Sequence, residues 1–224
     1  MNSEIFSGIL TGILSAIIFN PIDKAIYIST TKNLAITNKE IWKNPYKGSL
    51  NTISTRIITS GLYFTYLDYY SSVSTNKCNI SLMTSLSCSI TNPIQLIKFN
   101  SWYNNLSMRD SIKTLYKNHG FKALTIGLAP LIFRDFIFNY VYLSFKKKGN
   151  HINNLLAVCL AITLSSPINV IKNKQYGNNA SIINIIKDFK FSNMGLKYAY
   201  IRMGLGFYAS QIIYDFNKKL FYFK

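Results

Sequence analysis

The stretch KCNISLMTSLSCSITNPIQLIK, residues 77–98, holds 20 uncharged residues between two lysines, with a proline close to its end. An uncharged run of this length can cross a bilayer as a helix. Two further runs have the same form, since 18 uncharged residues lie between Glu4 and Asp23 and 23 lie between Lys148 and Lys172. We therefore expect three long membrane helices of one type.

The three runs end in one short signature that recurs at a nearly constant interval. It reads PIDKAI from Pro21, PIQLIK from Pro93 and PINVIK from Pro167, so the intervals are 72 and 74 residues. Self-similarity at a fixed period indicates a repeat architecture. Because proline removes a backbone hydrogen bond and bends a helix, we expect a kink at each of the three positions.

A second, mostly apolar segment follows each signature and carries an arginine near its start. These segments are roughly 49–74, 123–145 and 196–223, and their arginines are Arg56, Arg134 and Arg202. An arginine at membrane depth is costly unless it faces a protein interior or a water-filled cavity. With two helices per unit, the sequence predicts an all-α membrane protein: six transmembrane helices in three pseudo-repeats, covering 1–75, 76–149 and 150–224.

The excess of positive charge is concentrated between the two helices of each unit. The net charge is +17, and 15 of the 25 Lys and Arg residues lie in the connectors 24–47, 98–122 and 172–197, which hold three acids. An excess of basic residues in short loops marks the side that is not translocated. The lysines border apolar runs instead of a separate polar domain, so we expect membrane lipids, cardiolipin among them, as partners and no nucleic-acid polymer.

The second connector has apolar residues at helical spacing. Met108, Ile112, Leu115 and Tyr116 alternate with polar residues, which predicts a short amphipathic helix lying along the membrane interface. Comparable stretches are 38–42 and 181–189.

The sequence offers no constellation for catalysis or metal binding. Cys78, Cys88 and Cys159 are isolated within predicted helices, and His119 and His151 are isolated as well. We expect the cysteines to be small core residues without metal or disulfide roles. The chain is therefore predicted not to be an enzyme and to need no cofactor or metal.

These features together resemble the mitochondrial carriers, the six-helix, three-repeat solute transporters of the inner mitochondrial membrane. The resemblance rests on PIQLIK, PINVIK, Tyr46-Lys47-Gly48, HGFKALTIGLAPLIFRD, MGLKYAYIRM and the closing Tyr214-Asp215-Phe216-Asn217-Lys218. It implies a monomer in the inner mitochondrial membrane, of its own cell or of a host. The trimmed connectors and the Lys-, Asn-, Ile- and Tyr-rich composition are similar to reduced carriers such as those encoded by giant viruses, which favours nucleotides as the solute.

The resemblance also implies two gates. The matrix-side gate would consist of Asp23, Gln95, Lys98, Asn169 and Lys172, with Asp23 bridging Lys98 and Gln95 bonding Lys172. The opposite gate would consist of Asp68, Lys147, Tyr214, Asp215 and Lys218. One matrix-side ion pair in place of three implies a weak gate. The alternative is that these residues form no gate, and that each proline only bends its helix while the lysines at the helix ends extend to the membrane surface.

Three arginines in a central cavity predict an anionic or zwitterionic solute, because the guanidinium group binds carboxylate and phosphate bidentately. Asp135 beside Arg134 resembles the contact point of carriers that handle amino acids, whereas nearby tyrosines would suit a nucleotide base. We expect exchange of a nucleotide or of an amino or keto acid. The alternative is a carrier-fold scaffold that binds partners and transports nothing; the eroded gates favour it and the three arginines oppose it.

Overall fold

A computed structural model describes residues 2–32, 34–46, 49–146, 151–178 and 181–187, together with Leu196, Ala199, Tyr200, Arg202 and Gly206. All regular elements in this part of the chain are helical, which confirms the all-α prediction for it. They are α1 (Asn2–Lys32), α2 (Ser49–Val73), α3 (Lys77–Cys88), α4 (Asn92–Asn104), α5 (Met108–His119), α6 (Leu128–Phe145), α7 (His151–Asn178) and α8 (Ile182–Lys187), with 3₁₀ turns at Ser89–Thr91 and Gly120–Thr125.

The long helices form a closed ring. α1 packs on α2, α2 on α3, α3 on α6 and α6 on α7, and α7 returns to contact α1. Leu196, Ala199 and Tyr200 pack against the core shared by α6 and α7. Each helix therefore presents one face to a common interior.

The helices bury small residues and expose large apolar ones. In α3, Ser81, Thr84 and Ser85 are fully buried, whereas Leu82 and Met83 are 42% and 45% exposed. In α7 the buried residues include Ala157, Val158 and Ala161, and the exposed ones include Leu156, Leu160 and Leu164. Small residues let helices approach closely, and an outer surface of large apolar side chains suits lipid better than water. This arrangement is the one expected of a membrane bundle.

Hydropathy identifies one candidate span among the residues whose side chains the structure describes. The stretch Ile152–Gly177 within α7 is long and apolar enough to cross a bilayer, with a mean hydropathy of 1.8. The side chains that begin α1 and most of 197–224 lie outside the described residues. The count of six spans remains a prediction.

The run that begins at Lys77 is two helices, where the sequence predicted one long helix. A 3₁₀ turn at Ser89–Thr91 separates α3 from α4, and Pro93 stands in the first turn of α4. Proline has no N–H with which to continue the helical hydrogen bonds. Within the turn, the Ser89 and Thr91 hydroxyls donate to the Leu86 and Cys88 carbonyls. Pro21 and Pro167, by contrast, lie inside continuous helices.

The connectors differ from one another. The helix predicted over 38–42 is wrong: residues 36–46 form turns, in which the Asn38 side chain accepts a bond from the Glu40 N–H at 2.9 Å. Asparagine turns of this kind and the proline at 45 disfavour a helix in so short a segment. The other two predicted connector helices correspond to α5 and, up to Lys187, to α8.

An asparagine that precedes proline ties each of the first two connectors to its helix. Asn20 Nδ2 donates to the Pro45 carbonyl at 3.1 Å, and Asn92 Nδ2 donates to the Leu124 carbonyl at 2.8 Å. Both acceptors lie three residues before the glycine that precedes the following helix. The two bonds therefore occupy corresponding places in the first two predicted units.

Candidate functional site

The ring of helices encloses a cavity of about 370 Å³. The four residues predicted to bind solute and the five predicted for the matrix-side gate all line it. They are Arg56, Arg134, Asp135 and Arg202, with Asp23, Gln95, Lys98, Asn169 and Lys172. Side chains from α1, α2, α4, α6 and α7 and from the segment around residue 202 thus meet in one space.

The cavity carries an excess of positive charge. Among the described lining residues there are five basic side chains and two carboxylates, which leaves a formal excess of three positive charges. Low-dielectric walls concentrate such a field and raise the local concentration of anions. The electrostatics of the cavity therefore favour an anionic ligand.

Asp23 lies between two of the arginines. Arg202 Nε donates to Asp23 Oδ1 at 2.5 Å and Arg202 Nη2 donates to Oδ2 at 3.0 Å, while Arg56 Nη2 donates to Oδ2 at 3.1 Å. Arg202 is almost fully buried, with 6% of its side chain exposed. Asp23 therefore joins α1 to α2 and to the segment around residue 202.

The third arginine pairs with its own neighbour. Arg134 Nη2 lies 2.7 Å from Asp135 Oδ1, and both side chains are about one fifth exposed. Arg134 Nε is buried and has no hydrogen-bond partner. This guanidinium retains an unsatisfied donor on the cavity wall.

Lys98 and Lys172 contact aromatic rings. Lys98 Nζ lies 4.5 Å from the centroid of Phe99 and 4.7 Å from that of Trp102, and Lys172 Nζ lies 5.5 Å from Phe99 and 5.6 Å from Tyr176. These are cation–π distances. The pairing of Lys98 with Asp23 that the family resemblance implies is replaced here by ring contacts for Lys98 and arginine contacts for Asp23.

Residues 81–154 match the family model described as mitochondrial carrier protein. Over this stretch the chain is similar to the mitochondrial carriers. The matched stretch covers 74 of the 224 residues and contains Gln95, Lys98, Arg134 and Asp135. No curated protein gave a match to the chain. The family consists of membrane-embedded solute carriers of mitochondria, and the match is therefore in keeping with the resemblance found in the sequence.

Several contacts predicted from the sequence differ in the structure or lie outside the described residues. Gln95 Nε2 donates to Thr91 Oγ1 at 3.0 Å instead of meeting Lys172. Of the opposite gate, Asp68 lies exposed near the end of α2. The other four members of that gate, Lys147, Tyr214, Asp215 and Lys218, lie outside the described residues.

The sequence did not predict a series of polar side chains that bond to one another at the cavity wall. Tyr63 Oη donates to Asn139 Oδ1 at 2.9 Å, and Asn139 Nδ2 donates to Ser85 Oγ at 3.2 Å, which links α2, α6 and α3. Asn139 stands among apolar and aromatic residues in the second half of α6, and this is the signal that could have found it. Polar residues between membrane helices commonly bond across the interface in this way.

Proposed function

We propose that this carrier exchanges a small anionic or zwitterionic metabolite across the inner mitochondrial membrane by alternating access to the cavity. The observation that carries the proposal is the convergence of Arg56, Arg134 and Arg202 on one cavity with an excess of positive charge. A guanidinium presents two parallel donors to a carboxylate or phosphate. Three such groups orient an acidic solute without covalent chemistry.

Access would alternate between the two ends of the bundle, with the solute site near the middle of the membrane. At the connector end, the aromatic rings of Tyr27, Phe99, Trp102 and Tyr176 pack together below the cavity, with Tyr27 and Phe99 centroids 4.5 Å apart. We infer that this aromatic cluster takes the place of the ion pairs that the family resemblance implies. The weak ionic gate predicted from the sequence is then compensated by apolar contact.

We further infer six spans in three units, 1–75, 76–149 and 150–224, with the connectors on the matrix side. The corresponding bonds made by Asn20 and Asn92 support a repeat relation between the first two units. The closed ring of helices is consistent with two long helices from each unit.

Two solute classes fit the cavity. The Arg134–Asp135 pair offers a carboxylate to the ammonium group of an amino acid as well as a guanidinium to its acid group. Tyr63 and Phe138 line the same space and offer rings on which a nucleotide base can stack. A screen of solutes decides between amino acids and nucleotides.

One observation favours a second function. Arg56 and Arg202 are held by Asp23, so these arginines also act as ties between helices. A carrier-fold scaffold that transports nothing would need such ties and no solute site.

The test is uptake of radiolabelled nucleotides, amino acids and keto acids into liposomes that contain the carrier and the same solute inside. We expect saturable exchange of one class. Because a hydrogen bond to a charged group contributes about 1.5–3 kcal/mol, Arg134→Ala or Arg202→Ala should lower kcat/KM for that solute by about tenfold or more.

The matched control is Arg109→Ala, since Arg109 lies exposed on α5 outside the cavity. Its exchange rate should stay within about twofold of the native rate, as is usual for surface substitutions. Absence of flux for every solute, from protein that is folded and inserted, would overturn transport and leave the scaffold.

A further inference from the structure

The Asp23 carboxylate makes the contacts that an acidic solute would make. Both of its oxygens accept bonds from guanidinium groups, one from Arg202 Nε and the other from Arg202 Nη2 and Arg56 Nη2. This is the two-oxygen geometry in which arginine holds any carboxylate or phosphate. Asp23 and an anion in the cavity therefore require the same donors.

The arrangement around Arg202 fixes its guanidinium in place. The guanidinium carbon lies 4.6 Å from the centroid of the Phe19 ring, and 6% of the side chain is exposed. Both Phe19 and Asp23 come from α1. The Phe19 ring contacts the Arg202 guanidinium group and the Asp23 carboxylate accepts its hydrogen bonds, so a single helix fixes the position of that group. Arg56 completes the arrangement from α2 and is 31% exposed, which makes it the more accessible of the two arginines.

We propose that Asp23 is a built-in competitor of the transported anion, whose carboxylate must leave Arg56 and Arg202 before the solute can engage them. The inference rests on the proposed function, because it takes the arginines of the cavity as the solute site. Displacement requires a group with two adjacent acidic oxygens, a carboxylate or a phosphate. It also couples binding to the packing of the bundle, since it breaks the ion pairs that join α1 to α2 and to the segment around residue 202.

A group of the protein that occupies the binding site weakens the apparent affinity for the anion. The apparent Kd equals the intrinsic Kd divided by the fraction of sites that this group leaves free. Replacing Asp23 by asparagine keeps the size of the side chain and removes the competing charge. The Asp23→Asn carrier should therefore bind a simple anion more tightly than the native carrier does. A purely structural Asp23 would give the opposite result, because its loss would distort the site.

The experiment measures binding of inorganic phosphate to the purified full-length carrier in lipid nanodiscs by isothermal titration calorimetry. For Asp23→Asn we expect a Kd about tenfold or more below the native value, equivalent to about 1.4 kcal/mol. Glu40→Gln removes the same charge from an exposed connector position and should change the Kd by less than about twofold. An unchanged or weaker affinity in Asp23→Asn would overturn the proposal.

The double variant Asp23→Asn with Arg202→Gln tests whether the gain depends on the freed guanidinium. It should lose most of the added affinity, and a double variant that keeps the full gain would contradict competition for Arg202. If Asp23→Asn aggregates without an anion, phosphate should keep it monodisperse on size exclusion at concentrations below the native Kd. Aggregation that phosphate does not prevent would also count against the proposal.

These measurements separate the inference from the proposed function. Tighter phosphate binding in Asp23→Asn without flux in liposomes would support competition by Asp23 and overturn the transport function. Flux that depends on Arg202, together with no gain in affinity from Asp23→Asn, would support transport and overturn competition by Asp23.

Discussion

Phe99 is the residue on which the connector end of the cavity depends. Its ring receives the Lys98 ammonium at 4.5 Å and the Lys172 ammonium at 5.5 Å, and it stacks on Tyr176 at 5.6 Å. A ring face attracts a cation without adding a carboxylate, so the cavity keeps its positive charge. Lys98 and Lys172 can thus be buried while the site still attracts anions.

Phe99→Leu should destabilise the carrier even though it preserves apolar bulk. Each cation–π contact contributes about 0.5–2 kcal/mol, so losing two should cost about 1–4 kcal/mol. We expect a fall of several degrees in the midpoint of thermal unfolding of detergent-solubilised protein. The control is Phe133→Leu, because Phe133 is 61% exposed on the outer face of α6. Equal shifts for the two variants would contradict the role given to Phe99.

At the scale of the helices, the ends of α1, α4 and α7 converge at a glycine. A Cβ atom on Gly177 would lie 2.9 Å from Tyr103 Cδ2 and 3.0 Å from Thr31 Cγ2, closer than ordinary contact. Thr31, Tyr103 and Gly177 belong to the three helices that follow or contain the signature prolines. The absence of a side chain at 177 lets these helices meet below the aromatic cluster.

Gly177→Ala should therefore destabilise the bundle, although alanine favours a helix by about 0.5–1 kcal/mol over glycine. Overpacking typically costs about 1–3 kcal/mol, and that effect should prevail here. Gly61→Ala is the matched control, because its Cβ would lie 3.6 Å from Ile9 Cγ1, an ordinary contact. Thermal unfolding should give a lower midpoint for Gly177→Ala and an equal or higher midpoint for Gly61→Ala. A Gly177→Ala carrier as stable as the native one would show that the helix ends are loosely packed.

The sequence predicted the helices correctly where a long uncharged run determines them. The uncharged runs before Pro21 and Pro167 predicted long helices, and both helices are continuous through the proline. The break before Pro93 was not predictable, because it accompanies bonds from the Ser89 and Thr91 hydroxyls to the Leu86 and Cys88 carbonyls, which no residue spacing indicates. The turns at 36–46 likewise depend on side-chain bonds that compete with a short helix.

At the scale of the whole molecule, the sequence predicted which residues would share the cavity but not how they would pair. Period, residue type and the family resemblance indicated four solute-binding residues and five residues of the matrix-side gate, and all nine line one space. Which charged side chains pair with each other depends on the distances between helices, and residue spacing in the sequence does not give those distances. Asp23 meets arginines, and Lys98 meets rings, because the ring of helices brings those groups closer.

The central claim is that one cavity opens in turn to the two sides of the membrane, and Cys88 offers the most direct test. Cys88 lines the cavity, whereas Cys78 is exposed at the start of α3 and Cys159 lies on α7. The experiment uses a Cys78→Ser, Cys159→Ser carrier that retains exchange, in liposomes of one orientation, and a membrane-impermeant methanethiosulfonate bearing a sulfonate group. The account predicts that Cys88 is labelled when the reagent is supplied from either side, and more slowly when the transported solute is present. Labelling from one side only, with no protection by the solute, would contradict it.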